Sequence, residues 1–353
     1  DLHAVEACGR EPQMTIDITR RNFLVGTGAA AAALALGACG NAADSGAAGD
    51  GKKTKLTFCL DYTPNTNHTG IYVAQAQGYF ADEGLEVEIV QPADDTAEAM
   101  IGSGKAQVGV SYQDYIANAL DSDSPMPIQA IAAVIQHNTS GIMSRKADGI
   151  TRPKAMMGHK YATWDMPVEQ ATIKHIVEKD GGDFSKLDLV PYNVDDEVSG
   201  LKADMFDDVW VYEGWAVQNA VVQDFDYNYF SFISIDKVFD YYTPVLAANS
   251  EYAQKNPEVI KAFLRAAKRG YEYAISNHAD AAQILLDAVP ELDEKLVKQS
   301  AEYLAGEYQS DASSWGIIEK DRWSAFYKWL NDNKLVEHEL DVNAGWTMDY
   351  LEA

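Results

Sequence analysis

The feature that most constrains the fold of this chain is a repeated unit. In each repeat, a short run of strand-forming residues is followed by polar or aromatic residues and then by a helical pattern. The predicted strands are Leu56–Leu60, Leu85–Val90, Ala106–Val110, Ile128–Ile135, Lys160–Thr163, Leu187–Val190 and Asp208–Val211. Strands that alternate with helices favour a mainly parallel sheet covered by helices. Because the strands fall into two groups, separated after Gly149 and Pro153, we predict an α/β fold with two lobes.

The chain is predicted to cross between the lobes more than once. Val245–Ala248 has the pattern of a strand that runs back, and the chain is helical from Pro257 onward, with Asn256 as the expected cap. The first helix of this tail carries one apolar stripe, formed by Ile260, Phe263, Leu264, Ala267 and Tyr271. The predicted division is 55–142 and 246–353 for lobe 1 and 143–245 for lobe 2. We expect hinges near Gly141–Arg145 and Thr243–Ala248.

The other predicted helices follow the strands. Their expected extents are Gly70–Gln77, a helix capped by Asp95 that ends at Gly104, Tyr112–Leu120, Pro167–Glu178, Gly214–Val221 and, after Pro290, further helices that include Trp323–Leu330. Asp95 is proposed as a cap because a short acidic side chain accepts hydrogen bonds from the first free N–H groups of a helix.

An export signal precedes the part of the chain that is expected to fold. Arg20 and Arg21 form a twin-arginine pair, and Val25–Leu36 is an apolar run rich in Ala and Leu. This run is too short to span a bilayer, which needs about 20 residues. Small residues then precede Cys39. We expect cleavage before Cys39 and attachment of lipid to its thiol, which would hold the protein on the outer face of the cell membrane.

The segments on either side of the anchor are expected to be a signal and a flexible tether. Residues 1–39 would form the signal with its lipobox, Met14 would start it, and residues 1–13 would be upstream sequence. Residues 40–54 are small and polar and should form a flexible tether. Only Cys59 would remain besides Cys39, so no internal disulfide is expected, and Cys59 is interpreted as a small core residue.

The charge of the mature chain limits the class of ligand. Residues 1–38 contain four acidic residues and three arginines, so 50 acidic and 25 basic residues remain and the net charge is −25. Such a charge disfavours nucleic acids and anionic ligands, which need clustered positive charge. It is compatible with a neutral or cationic small molecule, and we expect no nucleic-acid partner.

Residues with binding chemistry collect where the predicted strands end, which is where open α/β sheets bind their ligands. The candidate ligand-binding residues are Tyr62, Asn67, His68, Tyr112, Gln113, His137, Trp164, Glu169, Tyr212, Glu213, Trp215 and Tyr241. Aromatic faces can stack on a flat heterocycle, while a carboxylate accepts a hydrogen bond from an exocyclic amine. If the ligand is cationic, the same rings add cation–π attraction. The pattern therefore indicates a flat, nitrogen-rich ligand.

Structural roles are alternatives for many of these side chains. Asn65 and Asn67 suit a turn and a helix cap. Hydrogen-bonded, core or solvated roles are open for His68, His137, Trp164, Trp210, Trp215, Glu169 and Glu213. The histidines lack the His-x-x-x-His spacing of a metal site, so neither a metal ion nor another cofactor is expected.

Six segments in order resemble a known family. They are Tyr62–Gly70, Tyr72–Phe80, Ile135–Ile142, Tyr161–Gln170, Phe239–Pro244 and Trp315–Gly316. From about Lys55 to Leu351 the chain resembles the substrate-binding proteins of ABC importers for thiamine and its pyrimidine precursors, a group related to the fungal thiamine-pyrimidine synthase. The resemblance implies a type II periplasmic-binding-protein fold with two lobes that close on a ligand. It places Tyr62, Asn67, His68, Tyr112, Gln113, Trp164, Tyr212, Glu213 and Trp215 along the cleft.

Three departures from the family bear on function. The position of the synthase's cofactor-binding lysine corresponds to Ser111, and Val245–Ala248 contains no cysteine, although the synthase has a cysteine-rich cluster there. Relatives often have Trp-Asp-Gly where this chain has Glu213-Gly214-Trp215. Because the lysine and the cysteine cluster are missing, we expect no catalytic residues and no enzymatic activity, whereas the third departure bears on the identity of the ligand.

The expected function is capture of thiamine or its hydroxymethylpyrimidine-type precursor by a monomer that delivers it to ABC permease and ATPase subunits. The alternatives are a binding protein for riboflavin or an alkylsulfonate, or a synthase-like enzyme. Riboflavin would need a longer cleft, and a sulfonate would need positive charge. Arg145 and Arg152 lie near the first crossing, but the cleft segments supply no clear basic clamp.

Overall fold

The computed structural model describes residues 53–194 and 196–352, which form two five-stranded sheets flanked by helices. The strands in these residues are β1 Thr54–Cys59, β2 Leu85–Val90, β3 Val108–Ser111, β4 Ile128–Ala133, β5 Ser140–Arg145, β6 Lys160–Thr163, β7 Asp188–Pro191, β8 Asp208–Tyr212, β9 Tyr227–Ser231 and β10 Val245–Asn249. An α/β fold with two groups of strands is confirmed.

Helices cover both sheets. The α-helices in the described residues are α1 Thr69–Ala76, α2 Tyr79–Asp82, α3 Ala97–Gly102, α4 Gln113–Leu120, α5 Pro167–Lys179, α6 Glu197–Lys202, α7 Gln218–Val222, α8 Ser250–Lys255, α9 Pro257–Ser276, α10 His278–Ala288, α11 Glu294–Glu307 and α12 Lys320–Asp332. Short 3-10 turns occupy Thr66–His68, Lys146–Asp148, Pro153–Met156, Phe184–Lys186, Phe232–Ser234 and Lys237–Phe239, and Glu213–Val217 is a π-helix. None of these helices is both long and apolar enough to cross a bilayer.

The two sheets have matching topologies. Sheet A has the order β2-β1-β3-β10-β4, and sheet B has the order β7-β6-β8-β5-β9. In each sheet four strands run in one direction, and the fourth strand in spatial order, β10 or β5, runs antiparallel to both neighbours. The sheets are therefore mixed rather than purely parallel, because each contains one strand that enters from the other lobe.

Most predicted strands lie within a few residues of the observed ones, whereas β5 and β9 are strands that we did not predict. The sequence of β5, Ser-Gly-Ile-Met-Ser-Arg, is buried along its first five residues and shows no alternation of apolar and polar positions. Gly141 is needed there because a Cβ atom would lie 2.2 Å from the carbonyl oxygen of Phe230 on β9. Because β5 does not alternate apolar and polar residues, the sequence pattern that normally marks a strand is absent there.

One predicted helix cap is wrong, and a second is confirmed in position but makes no cap hydrogen bond. Thr96, not Asp95, caps α3 by accepting a hydrogen bond from Ala99 N, while Asp95 accepts one from Lys105 Nζ. Asn256 stands before α9, but its side chain donates to the carbonyl oxygen of Tyr252 and makes no cap bond. The apolar stripe predicted for α9 is fully buried and is confirmed.

The chain crosses between the sheets twice. The first crossing comprises residues 134–139, between β4 in sheet A and β5 in sheet B, and the second comprises residues 232–244, between β9 and β10. Gly141–Arg145 was expected to be a hinge, but it lies within β5 and is paired with β8 and β9 on both sides, so its backbone dihedrals are held. The predicted boundary between residues 142 and 143 also falls inside β5.

Candidate functional site

The carboxyl edges of the two sheets border one cleft. The first crossing leaves the carboxyl end of β4 and enters β5 where Ser140 pairs with Tyr212, the last residue of β8. The second crossing leaves the carboxyl end of β9 and enters β10 where Val245 pairs with Ser111, the last residue of β3. Because both crossings join these edges, the side chains that follow β1, β3, β6 and β8 lie around the same opening, as expected for a ligand site in open α/β sheets.

A hydrogen-bonded group stands at the lobe 1 edge. The backbone N–H of Asn65 donates to Nδ1 of His68 at 3.1 Å, so Nε2 is assigned the ring hydrogen and donates to Oδ1 of Asp61 at 2.6 Å. The Tyr112 hydroxyl donates to Oδ2 of the same carboxylate. Burial opposes ionisation of Asp61, but the interactions with His68 and Tyr112 outweigh it and lower the pKa of this carboxyl. Both ring nitrogens of His68 are therefore engaged: Nδ1 is held by Asn65, and Nε2 positions Asp61.

Exposed aromatic side chains border the cleft from both lobes. Tyr62 is 70% exposed and Tyr115 45% in lobe 1, while Trp164 is 39% and Tyr212 37% exposed in lobe 2. Trp164 is supported from behind by Trp210, with ring centroids 5.3 Å apart. Large aromatic side chains are normally more buried than this, so their exposure at one opening makes this surface a candidate binding site.

Other aromatic candidates are less accessible. Trp210 is buried, as the core interpretation held, and packs edge-on against Phe232 with centroids 4.4 Å apart. Tyr241 is also buried and stacks on Phe326 at 4.1 Å. Trp215 is half-buried against the apolar cluster that α10 and α11 form in lobe 1.

Several polar candidates are engaged within the protein. Gln113 is fully buried, donates to the carbonyl oxygen of Trp323 at 2.8 Å and accepts from Tyr242 N at 3.0 Å. Glu169 accepts hydrogen bonds from Tyr161 Oη at 2.5 Å and Thr163 Oγ1 at 2.9 Å, and burial raises its pKa despite them. In the described part of the chain, Gln113 and Glu169 therefore have structural roles.

Two candidates are held through the backbone or at the crossing. Asn67 uses its N–H to reach Oδ1 of Asn65 and its carbonyl oxygen to accept from Tyr271 Oη. His137 lies on the first crossing, between Asp240 at 2.7 Å and Asp311 at 2.7 Å, and the hydrogen bond to Asp240 raises the pKa of its imidazole. His137 therefore ties the two crossings together.

The carboxylate of Glu213 has a different environment from that of its neighbour Tyr212. Glu213 begins the π-helix after β8, and its side chain lies beside Tyr303 and Glu307 of α11. Burial raises the pKa of both glutamates, and the charge of Glu213 raises that of Glu307 further. The pKa of Tyr212, in contrast, is raised by burial and then by the charges of Asp114, Tyr115 and Asp61.

The sequence analysis did not select Asp61, Asp114 or Tyr115, which the structure brings to the cleft. Each belongs to a segment that follows a strand, so position was a usable signal. Burial raises the pKa of the Asp114 carboxyl to about 7. No group of three or more histidine, cysteine or acidic residues within 53–194 and 196–352 is arranged to hold a metal ion.

Comparison with known proteins agrees with this architecture. Residues 65–281 match the profile of the family described as NMT1/THI5 like. The chain belongs to the NMT1/THI5-like family. This confirms the resemblance drawn from the six sequence segments. Residues 17–37 of this NMT1/THI5-like protein match the signal sequence of the twin-arginine translocation pathway.

Two curated relatives of this NMT1/THI5-like protein differ in activity. The formylaminopyrimidine-binding protein of Halalkalibacterium halodurans is 28% identical over 79% of this chain and 85% of its own length. The 4-amino-5-hydroxymethyl-2-methylpyrimidine phosphate synthase THI11 of Saccharomyces cerevisiae is 26% identical over 69% of this chain and 73% of its own length. The family thus contains both binding proteins and enzymes.

Solved structures show the fold of the NMT1/THI5-like protein. The periplasmic aliphatic sulphonate binding protein SsuA of Escherichia coli has a TM-score of 0.65 and 13% identity, covering 85% of this chain and 99% of its own. The desulfurization enzyme DszB has a TM-score of 0.59 and 12% identity over 85% and 98%. The periplasmic-binding-protein fold is therefore confirmed, and together with the signal sequence it identifies an extracytoplasmic protein.

Proposed function

We propose that this protein is the lipid-anchored substrate-binding protein of an ABC importer and captures thiamine or its hydroxymethylpyrimidine-type precursor in the cleft between the lobes. The observation that carries the proposal is the set of exposed aromatic side chains on both carboxyl edges. Trp164 and Tyr212 can cover one face of a planar ring and Tyr62 and Tyr115 the other. Similarity to a protein that is named for binding formylaminopyrimidine supports an aminopyrimidine as the ligand.

The enzyme alternative lacks a reactive group at the expected position. Ser111, which stands where the resemblance places the synthase's lysine, is buried and donates its hydroxyl to Glu98 at 2.6 Å. Cys59 is also buried, and burial raises the pKa of its thiol to about 11, which keeps it protonated at neutral pH. These contacts favour binding without turnover.

A sulfonate ligand is disfavoured by the positions of two arginines. Arg145 ends β5, opposite the start of β8, and thus lies at the edge of sheet B that is remote from the cleft. Its guanidinium is paired with Asp148 and Asp207. Arg152 is paired with Asp180. Neither is free to clamp an anion in the cleft.

Calorimetric titration with four ligands tests the proposal. We expect thiamine or 4-amino-5-hydroxymethyl-2-methylpyrimidine to bind with a Kd of about 1 μM or lower, which corresponds to about −8 kcal/mol. Riboflavin and an alkanesulfonate should bind at least about 100-fold more weakly, because the first needs a longer cleft and the second meets acidic groups. Tight binding of the sulfonate alone would refute the ligand assignment, and consumption of the pyrimidine would refute a pure binding function.

The lipid anchor is a separate part of the proposal, because Arg20, Arg21 and Cys39 lie outside the described residues. Replacement Cys39→Ala should release the protein from the membrane fraction, while Cys59→Ala, which changes a buried thiol, should leave it attached. Mass spectrometry of the native protein should show lipid on Cys39 as the first residue. A peptide that still joins residue 38 to an unmodified Cys39 would contradict the anchor.

A further inference from the structure

One carboxyl group in the cleft differs from the others in its partners. Asp114 is the second residue of α4, directly after β3, at the carboxyl edge of sheet A. Within the described residues, no side chain donates a hydrogen bond to it and no cation pairs with it, although the backbone N–H groups of Asp114 and Tyr115 partly offset the effect of burial on its pKa. Its side chain remains partly accessible. The Asp114 carboxyl therefore has hydrogen-bonding capacity left.

The other cleft acids are already engaged. Asp61 accepts hydrogen bonds from His68 and Tyr112, and Glu98 accepts one from the hydroxyl of Ser111. Glu169 accepts hydrogen bonds from two hydroxyl groups of its own lobe. Glu213 lies beside Tyr303 on the α11 side. Among these five carboxyl groups, Asp114 has the most capacity to meet a ligand.

Aromatic groups from both lobes surround Asp114. Burial, and after it the charge of Asp114, raises the pKa of Tyr115 on α4, Tyr212 on β8, Tyr241 on the second crossing and Tyr327 on α12. Glu98 on α3 is the acidic group that acts on Asp114 in turn. Tyr115 and Tyr212 belong to different lobes and both are exposed to the cleft. Asp114 therefore lies where a planar ligand between the lobes would present its edge.

We propose that the Asp114 carboxyl group, rather than that of Glu213, binds the edge of the aminopyrimidine ring, with one oxygen facing the exocyclic amine and the other facing the ring nitrogen beside it. This inference rests on the proposed function. An amine donates and a pyrimidine nitrogen accepts, so the best partner accepts with one atom and donates with the other. A protonated carboxyl group has both capacities, as does a carboxamide.

The environment of Asp114 supplies that proton near neutral pH. Desolvation raises the pKa of the carboxyl to about 7, so about half of the unliganded molecules carry the proton at pH 7. The complex contains one proton shared between the carboxyl and the ring nitrogen. Above pH 7 that proton must be taken from solution, and affinity should fall about tenfold for each further pH unit. Binding should therefore be linked to the uptake of one proton.

The test is calorimetric titration of the full mature chain with 4-amino-5-hydroxymethyl-2-methylpyrimidine at pH 7, 8 and 9, in buffers of different ionisation enthalpy. For the parent protein we expect affinity to fall about 50-fold from pH 7 to pH 9, with uptake of about one proton at pH 9. Asp114→Asn should bind with little pH dependence and should exceed the parent at pH 9, because the amide donates without titrating. Asp114→Ala should weaken binding at least tenfold at pH 7.

Two comparisons keep the result interpretable. Asp123→Asn, which alters a fully exposed carboxylate on the loop after α4, should behave like the parent. Thermal unfolding establishes that each variant is folded. The assignment is overturned if Asp114→Ala binds as the parent does, if parent affinity is the same at pH 7 and pH 9, or if Glu213→Gln alone abolishes binding. Failure of the parent to bind thiamine or pyrimidine at any pH would instead overturn the proposed function itself.

Discussion

The contact between α1 and α9 allows a quantitative prediction, because the two helices touch at their backbones. A Cβ atom on Gly270 of α9 would lie 1.9 Å from the carbonyl oxygen of Gly70 and 3.2 Å from Cβ of Ala74 on α1. Ordinary C···O contacts are about 3.3 Å or longer. In Gly270→Ala the helices must therefore separate by more than about 1 Å, since a backbone carbonyl cannot rotate away.

The expected cost of Gly270→Ala follows from two opposing terms. Overpacking a core contact costs about 1–3 kcal/mol, and the upper end applies because the clash is with backbone. Alanine is about 1 kcal/mol better than glycine inside a helix. The net loss of unfolding free energy is about 2 kcal/mol, which should lower the Tm of a chain of this size by about 4 °C.

The matched control is Gly306→Ala on α11, where an added Cβ atom meets nothing within 4 Å. It should leave the Tm unchanged or raise it by up to about 2 °C, because only helix propensity changes. Circular dichroism during heating gives both values. A Gly270→Ala protein that is as stable as the Gly306→Ala protein would refute the reasoning from backbone contact. Because Tyr271 donates a hydrogen bond to Asn67 at the cleft, Gly270→Ala should also weaken ligand binding.

Three further predictions concern the cleft and the crossings. Trp164→Ala should weaken pyrimidine binding about tenfold to hundredfold in calorimetry, because a stacked ring contributes about 1–3 kcal/mol, and an unchanged affinity would exclude Trp164 from the site. Rotation about residues 134–139 and 232–244 should close the lobes on the ligand; small-angle scattering should show a smaller radius of gyration with saturating ligand, and an identical value would argue against closure. His137→Gln should destabilise the protein more at pH 5.5 than at pH 9: its hydrogen bond to Asp240 raises the imidazole pKa, so that stabilisation is fully present below about pH 6.5 and lost as pH rises through the raised pKa. Equal losses in thermal unfolding at the two pH values would contradict this.

Local patterns in the sequence were sufficient to predict the class of fold. The strand Leu85–Val90 alternates apolar and polar residues and is observed with the same bounds. The stripe on α9 has helical spacing and is buried. Both features depend on residues a few positions apart, because side chains that share one face of a strand or helix recur every two to four residues and are buried together. The strands that no local pattern marked, β5 and β9, are formed by pairing with partners far along the chain.

The sequence also placed binding chemistry at the strand ends, but it could not assign directions to individual side chains. Glu213 and Tyr212 are neighbours in sequence, yet one lies beside α11 and the other beside Asp114. In the sequence His68 is an available imidazole, whereas in the structure both of its ring nitrogens are hydrogen-bonded, one to Asn65 and the other to Asp61. Which polar group remains available depends on contacts between segments.

The sequence by itself therefore determined the export signal, the two α/β lobes and the edges at which a ligand site forms. Only the tertiary structure decided which carboxyl group has spare hydrogen-bonding capacity and an altered pKa. The reason is that desolvation sums over all atoms near a group. Around Asp114 those neighbours include Tyr212, Tyr241 and Tyr327, which lie about 100 to 200 positions further along the chain and which folding brings together.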